Sequence, residues 1–422
     1  MKFLTYAVSA VALMVSTQLH ANQTLLNADA MVDVANGKVI KNVSVLIENN
    51  KIVEVGNQGS IRANDEAQVV DLSGKTLIPG LMDMHVHLTG DAEENFLASR
   101  GNSVPRQTVK AVKNAKKTLM AGFTTVRNLG AQGYSVIAVR EGINAGEVPG
   151  PRIWAAGHSV GITGGHCDDN FSPPEAQSKG KGVADGPWAV RAKVRENIKY
   201  GANTIKVCAT GGVFSKGTKV GIQQLTEGEI RAAVEEAHMR GLIAAAHAHG
   251  TEGIKAAIKA GVDSIEHCSF MDEEAVELAL KHGTYLSCDI YNTEYTLAFG
   301  EANGVPEENI NKEKQVGKIQ RESFRMATEA GVKMVFGSDA AIYPHGDNGK
   351  QFSRMVQFGM TPMQSLQAAT INSAALLKQS DLGQIKAGFL ADIVAVEGNP
   401  VEDIKLMENV TFVMKDGVVY KH

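Results

Sequence analysis

The sequence contains a series of side chains that could bind metal ions, and the series begins with two histidines separated by one residue. Its six members are His85, His87, Lys206, His247, His267 and Asp339. Each lies at or near the end of a short apolar run that is typical of a buried strand. Residues i and i+2 of a strand point to the same face, about 7 Å apart, so one ion could bind both imidazoles of the first pair. Imidazole and carboxylate ligands together suit zinc.

Lys206 is the unusual member because it lies inside the apolar segment 204–209. A buried ammonium group costs several kcal/mol unless it is paired or neutralised. One interpretation is a lysine that pairs with a carboxylate at the strand end. The other is a neutral amine that has taken up carbon dioxide to form a carbamate, whose two oxygens could bridge two metal ions. Two divalent ions, the carbamate, Asp339 and a bridging hydroxide would leave a charge of +1, which favours hydrolysis of a carbonyl substrate.

The elements that must position these side chains follow a regular alternation between residues 81 and 381. Eight strands are predicted at 81–87, 124–128, 153–157, 204–209, 243–249, 264–268, 285–290 and 334–338. Helices are predicted at 107–121, 189–200, 227–240, 253–260, 273–281, 313–330 and 362–377. This pattern indicates an α/β fold, a (β/α)8 TIM barrel, in which working residues lie at the carboxyl ends of the strands. The predicted ligands occupy such ends on strands 1, 4, 5, 6 and 8.

The two ends of the mature chain have a different pattern, with short strands separated by turn residues, over 22–80 and 382–422. Neither segment alone has enough strands for a stable sandwich. We therefore expect both segments to form one small β-sandwich domain beside the barrel.

Residues 1–21 have the features of a secretory signal peptide: Lys2, an apolar stretch from Phe3 to Val15, and a small residue, Ala21, at the cleavage point. The apolar stretch is shorter than the roughly 20 residues that a membrane-spanning helix needs. The sequence thus predicts a mature chain that starts near Asn22, has no membrane anchor and is periplasmic or secreted.

Charge and cysteine content narrow the range of partners. The net charge is −4, and removal of Lys2, the only charged residue among 1–21, makes it −5. Without a basic block, no nucleic-acid partner is expected. The four cysteines, at 167, 208, 268 and 288, have no CxxC spacing, which disfavours a structural zinc knuckle. An oxidising compartment would allow one disulfide, whose pairing stays open.

Several motifs together resemble the metal-dependent amidohydrolase superfamily. The resemblance spans nearly the whole mature chain, including the split β domain and the segments 79–87 and 387–394. The segments 122–127, 163–166, 247–250, 265–267 and 337–339 are similar to the branch of Xaa-Pro dipeptidases and carboxypeptidases, which is itself similar to imidazolonepropionases.

The resemblance implies two divalent ions, assigned as zinc. In that arrangement His85 and His87 hold the first ion, carboxylated Lys206 bridges, and His247 and His267 hold the second. It also implies that the bridging hydroxide attacks an amide carbon while Asp339, a ligand of the first ion, moves the proton to the departing amine.

Two further histidines are implied as substrate contacts. His249 shares a strand face with His247, and either could reach a metal; the resemblance favours His247 as the ligand and His249 as a donor to the substrate. His166, after two glycines, is implied to bind the substrate α-carboxylate, against the alternative of a local loop contact. Arg127, at the end of the second strand, is interpreted as a structural ion-pair partner.

The expected activity is hydrolysis of dipeptides or N-acyl amino acids, with a small peptide or N-acyl amino acid as substrate, in a chain that could form homo-oligomers. A hydrolase of a small cyclic amide, lactone or phosphotriester is the alternative, since the same metal pair would serve it. A mononuclear deaminase would not need Lys206. A non-catalytic binding protein would be expected to lack at least one ligand, and none is missing.

Overall fold

The computed structural model describes residues 22–422, so the predicted signal peptide lies outside the described residues. Its strands are β1 Gln23–Asp33, β2 Lys38–Glu48, β3 Lys51–Asn57, β4 Gln68–Pro79, β5 Leu81–Val86, β6 Phe123–Asn128, β7 Arg152–Ala155, β8 Ile205–Cys208, β9 Ala244–Ala248, β10 Ser264–His267, β11 Tyr285–Ser287, β12 Ile393–Glu397, β13 Phe412–Lys415 and β14 Val418–Lys421. Its α-helices are α1 Phe96–Ser99, α2 Val104–Met120, α3 Ser135–Asn144, α4 Pro187–Lys199, α5 Glu227–His238, α6 Thr251–Ala260, α7 Glu273–His282, α8 Asn292–Phe299, α9 Glu307–Glu329, α10 Lys350–Gln357, α11 Pro362–Ala368 and α12 Ile371–Leu376. No helix within 22–422 combines the length and apolar character needed to cross a bilayer.

One sheet joins the two ends of the chain. Its seven strands lie in the order β14-β13-β12-β4-β1-β2-β3. The junction is the antiparallel pair β12–β4, in which Ile393 lies opposite Pro79. Side chains from both segments, such as Leu26 and Phe412, share one apolar core. Segments that are more than 300 residues apart therefore stabilise each other.

The remaining strands form two parallel sheets, β5-β6-β7 and β8-β9-β10-β11, whose order follows the chain. Single parallel bridges connect them: Val160 with Val207, Leu286 with Met334, and Val86 with Ala340. The strands of both sheets are almost entirely buried, as expected for parallel strands covered by helices on one side and by packed side chains on the other. The carboxyl ends of β5, β8, β9 and β10 bring five of the six predicted ligands to one side.

The predicted eighth strand, 334–338, forms one parallel bridge, Met334 with Leu286, and near its end a side chain takes the place of a backbone acceptor. The buried carboxylate of Asp83 accepts hydrogen bonds from the backbone nitrogen atoms of Ser338, at 2.9 Å, and His85, at 3.2 Å. Immediately afterwards Asp339 adopts a left-handed backbone conformation, with φ of 54°. The irregular strand end and this turn set the position of the Asp339 side chain.

The helices agree with the sequence pattern in part. The segment predicted as one helix at 362–377 is two helices, α11 and α12, because Thr370 leaves the helical region with φ of −135° and ψ of −97°. Helix α9 begins six residues before its predicted start, at Glu307, directly after Pro306. Four helices, α1, α3, α8 and α10, were not predicted. Helices α8 and α9 carry side chains that line the site.

Candidate metal centre

All eight predicted site residues line one cavity of about 240 Å³ at the carboxyl ends of the parallel strands. They are His85, His87, His166, Lys206, His247, His249, His267 and Asp339. These side chains come from six separate parts of the chain. The tertiary structure thus brings together all the side chains that the sequence pattern predicted for one site.

The first group of possible ligands consists of His85, His87 and Asp339. Asp339 Oδ1 lies 3.5 Å from His85 Nε2 and 3.4 Å from His87 Nε2. The two imidazole rings are 5.3 Å apart, centroid to centroid. One ligand atom from each of the three residues lies within 4.8 Å of the others, so a single ion could bind all three.

The second group consists of His247, His249 and His267, whose ligand atoms also lie within 4.8 Å of one another. The His247 and His267 rings are 4.5 Å apart. The His267 ring is also 5.0 Å from that of His85, so the two groups are neighbours. Nε2 of His247 is buried and has no hydrogen-bond partner, which leaves a ring nitrogen free for a ligand.

Lys206 enters the same cavity with an unpaired amine. Its Nζ is buried without a hydrogen-bond partner, and among residues 22–422 no carboxylate lies within the 4.0 Å of an ion pair. The simple interpretation of a lysine paired at its strand end therefore finds no partner in the structure. Burial lowers the pKa of Lys206 to about 8, although the charges of Glu266 and Asp339 act in the opposite direction. A minor neutral fraction, much larger than that of an ordinary lysine, is then available near neutral pH.

A buried ion pair between Arg127 and Glu266 lies next to His85 of the first group. Arg127 Nη2 donates to Glu266 Oε1 at 2.7 Å, and both side chains are fully buried. The other oxygen, Glu266 Oε2, lies 3.2 Å from His85 Nδ1, although the angle falls short of a hydrogen bond. The interpretation of Arg127 as a structural ion-pair partner is thus confirmed. Its partner Glu266 lies beside the second nitrogen of His85, the place from which a carboxylate can restrict a metal-ligating imidazole.

Replacing Arg127 with methionine should lower the free energy of unfolding by about 3 kcal/mol, because it leaves the Glu266 carboxylate buried without its cation. Urea unfolding of the metal-free protein measures this change. The double variant Arg127→Met with Glu266→Gln removes both charges and should recover part of the loss. Equal free energies of unfolding for the Arg127→Met variant and the wild type would show that the ion pair does not stabilise the fold.

Asp289 lines the same cavity and was not predicted from the sequence; with His267 and Asp339 it forms a third group of possible ligands. His267 Nδ1 and Asp289 Oδ1 are 3.0 Å apart, and Asn292 Nδ2 donates to Asp289 Oδ2 at 2.5 Å and to Asp339 Oδ2 at 3.3 Å. Burial alone would raise the pKa of Asp289, but the charge and hydrogen bond of His267 hold it well below its usual range. Asp289 belongs to the predicted strand 285–290, and its position near a strand end was the available signal.

Asp339 has the environment of a proton carrier. Burial raises its pKa to about 7, with further raising by Asp289 and Asp83 and opposition from His267 and Lys206. A carboxyl group that titrates near neutral pH can both accept and return a proton. The side chain also lies beside both histidines of the first group, as described above.

The two predicted substrate contacts, His166 and His249, each stack on another histidine of the site. The His166 ring stacks on that of His247 at 4.0 Å, and its Nδ1 lies 3.1 Å from Ser215 Oγ. Burial lowers the pKa of His166 to about 3, so the ring is neutral. The His249 ring stacks on that of His267 at 4.7 Å, and its Nδ1 lies 2.7 Å from Ser269 Oγ. In each case one ring nitrogen is held by a hydroxyl and the other is left for a ligand.

The cysteine pairing that the sequence left open is Cys167 with Cys208, while Cys268 and Cys288 are buried and free. Cys167 follows His166, and Cys208 lies two residues after Lys206 on β8. The bond therefore attaches the loop that carries His166 to the strand that carries Lys206.

Replacing both Cys167 and Cys208 with serine should raise the KM of a dipeptide substrate about 5-fold or more, with a smaller change in kcat. The expected reason is that the His166 loop loses its attachment while the metal ligands keep their strands. Steady-state kinetics together with metal content measures the effect. Replacing free Cys288 with serine serves as the control for loss of a buried thiol, and a change confined to kcat in the double variant would contradict the expectation.

Comparison with known proteins places the chain in a family. The profile of the Amidohydrolase family matches residues 76–420. The chain is 31% identical to the ochratoxinase of Aspergillus niger across 97% of this chain and 89% of that protein. A crystal structure of a Xaa-Pro dipeptidase with methionine bound in its active site is 41% identical, with a TM-score of 0.88 over 95% of this chain and 100% of that one. A prolidase complexed with N-methylphosphonate-L-proline is 31% identical, with a TM-score of 0.86 over 95% and 100% of the two chains.

The chain belongs to the Amidohydrolase family. It is a hydrolytic enzyme of that family, whose relatives include ochratoxinase and imidazolonepropionase and whose structural neighbours include a Xaa-Pro dipeptidase. The resemblance inferred from the sequence motifs is confirmed.

Proposed function

We propose that this chain is a binuclear metal hydrolase that cleaves the amide bond of dipeptides or N-acyl amino acids. The observation that carries the proposal is Lys206, a buried lysine whose Nζ has no partner and which shares one cavity with two groups of possible metal ligands. A structural lysine would have a carboxylate partner. A lysine that becomes a carbamate needs a neutral amine and metal ions to receive its oxygens.

The donor set fits two zinc ions. His85, His87 and Asp339 would hold the first, His247 and His267 the second, and carboxylated Lys206 would bridge both. Carboxylation would join the neutral amine to carbon dioxide and release one proton, leaving an anionic ligand where the ammonium form of Lys206 would repel a metal cation. Bound divalent ions would polarise a carbonyl group and acidify water.

The protein's own side chains supply the proton transfer and the substrate contacts. Asp339 would take a proton from the attacking water and deliver it to the departing amine, which its pKa near neutrality supports. His249 would donate a hydrogen bond to the substrate carbonyl or carboxylate. Neutral His166, oriented by Ser215, would bind the α-carboxylate.

The substrate class is supported by the relatives and by the space beside the metal centre. The names of two structural neighbours, the Xaa-Pro dipeptidase and the prolidase, indicate hydrolysis of peptide bonds. Each of them aligns with 95% of this chain. A second cavity, of about 990 Å³, shares His87, Ser159 and Cys167 with the metal cavity. That volume leaves room for a bulky group on one side of the scissile bond.

Three broader assignments accompany this proposal. We infer that the parallel strands close into a complete (β/α)8 barrel, supported by the bridges Val86–Ala340, Val160–Val207 and Leu286–Met334. We also infer that the seven-stranded sheet built from both chain ends folds as a β-sandwich domain. We also infer that residues 1–21 direct export to the periplasm or the medium. The Cys167–Cys208 bond supports an oxidising compartment.

The test is metal content together with activity, on mature protein prepared with zinc and ¹³C-bicarbonate. We expect about two ions per chain, a carbamate carbon signal, and chelator-sensitive hydrolysis of dipeptides or N-acyl amino acids. A panel that also contains a cyclic amide, a lactone and a phosphotriester separates the alternative hydrolases. One ion without a carbamate signal, or hydrolysis confined to the alternative substrates, would overturn the proposal.

Substitution of the two strand β9 histidines separates their roles. His247→Asn should lower the metal content from two ions toward one per chain, since it removes a ligand. His249→Asn should keep both ions and lower kcat/KM about 100-fold, through loss of a substrate contact. Elemental analysis and steady-state kinetics measure both. Loss of an ion in the His249 variant alone would exchange the two assignments.

A further inference from the structure

One buried carboxylate, that of Glu313, lines the same cavity as the possible metal ligands but is neither one of them nor hydrogen-bonded to one of them. Glu313 on α9 lines this cavity and is 4% exposed. Its Oε1 accepts a hydrogen bond from Thr293 Oγ1 at 2.5 Å. Among the residues that the structure describes, no cationic nitrogen lies within 4.0 Å of this carboxylate.

The neighbouring cations are engaged elsewhere. Lys312 Nζ, next in the chain, donates to the Ser215 carbonyl oxygen at 2.7 Å and pairs with Glu308 at 2.6 Å. Arg321, two turns further along α9, pairs with Glu294 at 3.4 Å. Glu313 is therefore a desolvated acid without an ion-pair partner among residues 22–422, and burial raises its pKa to about 7.

Glu313 lies close to Asp339, to which two adjacent residues of α8 connect it. Thr293, its hydrogen-bond partner, directly follows Asn292, which donates to Asp339. Val213, Phe214 and Val316 line the same cavity and form a small apolar cluster. The cavity thus combines apolar walls with a buried carboxylate, an arrangement that fits a chain of methylene groups ending in a cation.

We propose that Glu313 and Thr293 form a subsite for a cationic group of the substrate, an ammonium or guanidinium. This inference rests on the proposed amide hydrolysis and adds to it a residue that determines specificity. Two sources could supply the cation: a lysine or arginine side chain, or the free α-ammonium group of a dipeptide. The apolar walls favour the side chain, because an α-ammonium group has no long apolar stem.

Three compounds that share an amide bond to a C-terminal amino acid distinguish these sources. N-acetyl-L-norleucine carries no cation, N-acetyl-L-lysine carries one on the side chain, and L-alanyl-L-norleucine carries one at the amino terminus. We expect kcat/KM to be about 10- to 100-fold higher for the compound whose cation reaches Glu313, a factor in the range of a charged hydrogen bond. The Glu313→Gln variant, which keeps an acceptor for Thr293, should reduce that ratio to near one and leave the norleucine compound within about 2-fold of wild type.

The matched control is Glu322→Gln, an exposed acid on the same helix, which should leave every ratio unchanged. Calorimetric binding of L-lysine and L-norleucine, which share the α-ammonium group, gives a readout that does not require turnover. Tighter binding of lysine to wild type, lost in Glu313→Gln, supports the side-chain source even if no amide is hydrolysed, in which case the proposed function fails on its own. Higher kcat/KM for L-alanyl-L-norleucine than for N-acetyl-L-norleucine, lost in the same variant, supports the α-ammonium source. The inference is overturned if neither cation changes binding or kcat/KM, or if Glu313→Gln affects charged and neutral compounds equally.

Discussion

Replacing Asp339 with asparagine should lower kcat/KM for a dipeptide about 10³-fold. The substitution keeps the shape of the side chain and removes the carboxylate that lies 3.4 and 3.5 Å from His87 and His85. Positioned proton transfer contributes about 10²- to 10⁴-fold in enzymes, and a possible metal ligand is lost as well. Steady-state kinetics and elemental analysis of the same preparation measure the two contributions.

A substrate with a better leaving group separates proton delivery from metal binding. An activated ester needs no proton on its departing oxygen, so its hydrolysis should suffer much less from Asp339→Asn than hydrolysis of an amide. Asp347→Asn, a change of the same type on the loop after Asp339 that removes an ion pair with Lys350, is the matched control and should stay within about 2-fold of wild type. An Asp339→Asn variant that retains its metal ions and more than a tenth of its activity would place the proton carrier elsewhere.

If the proposed carbamate bridges two ions, replacing Lys206 with alanine should remove at least one metal ion per chain and lower kcat/KM by about 10³-fold or more. The metal-free protein should be no less stable than wild type. The reason is that Nζ of Lys206 makes no hydrogen bond or ion pair within residues 22–422, so its removal breaks no polar contact. The end of the cost of burying the amine should offset the lost packing of its methylene groups. Thermal unfolding of the chelator-treated proteins tests this second expectation.

Two further experiments identify the chemistry at Lys206. Acetate or propionate should restore part of the metal binding and activity of Lys206→Ala, since a small carboxylate can occupy the vacated space and offer the same two oxygens as a carbamate. Lys206→Arg keeps a positive charge but forms no carbamate, so it should stay inactive. Full activity and full metal content in Lys206→Arg would show that Lys206 works as a cation, and the carbamate would have to be abandoned.

The sequence determined the candidate ligand set because its signals are local. Strand ends can be recognised from short apolar runs, and the alternation of strands with helices indicates on which side those ends lie. His85 and His87 share a face by their spacing alone. Lys206 was conspicuous because an ionisable residue inside an apolar strand demands a reason. The involvement of both chain ends in one β domain likewise followed from how few strands each end contains.

The tertiary structure decided which side chains meet. Arg127 and Glu266 are 139 residues apart, Cys167 pairs with one of three possible partners, and Glu313 reaches the metal cavity from a helix whose pattern only shows which side is buried. Asp289 and Asp83 are acids within apolar strands, where periodicity does not reveal which backbone or imidazole nitrogen each one will meet. Periodicity reports burial along one element, whereas these contacts depend on the relative placement of several elements, and that placement is set by the packing of the whole chain.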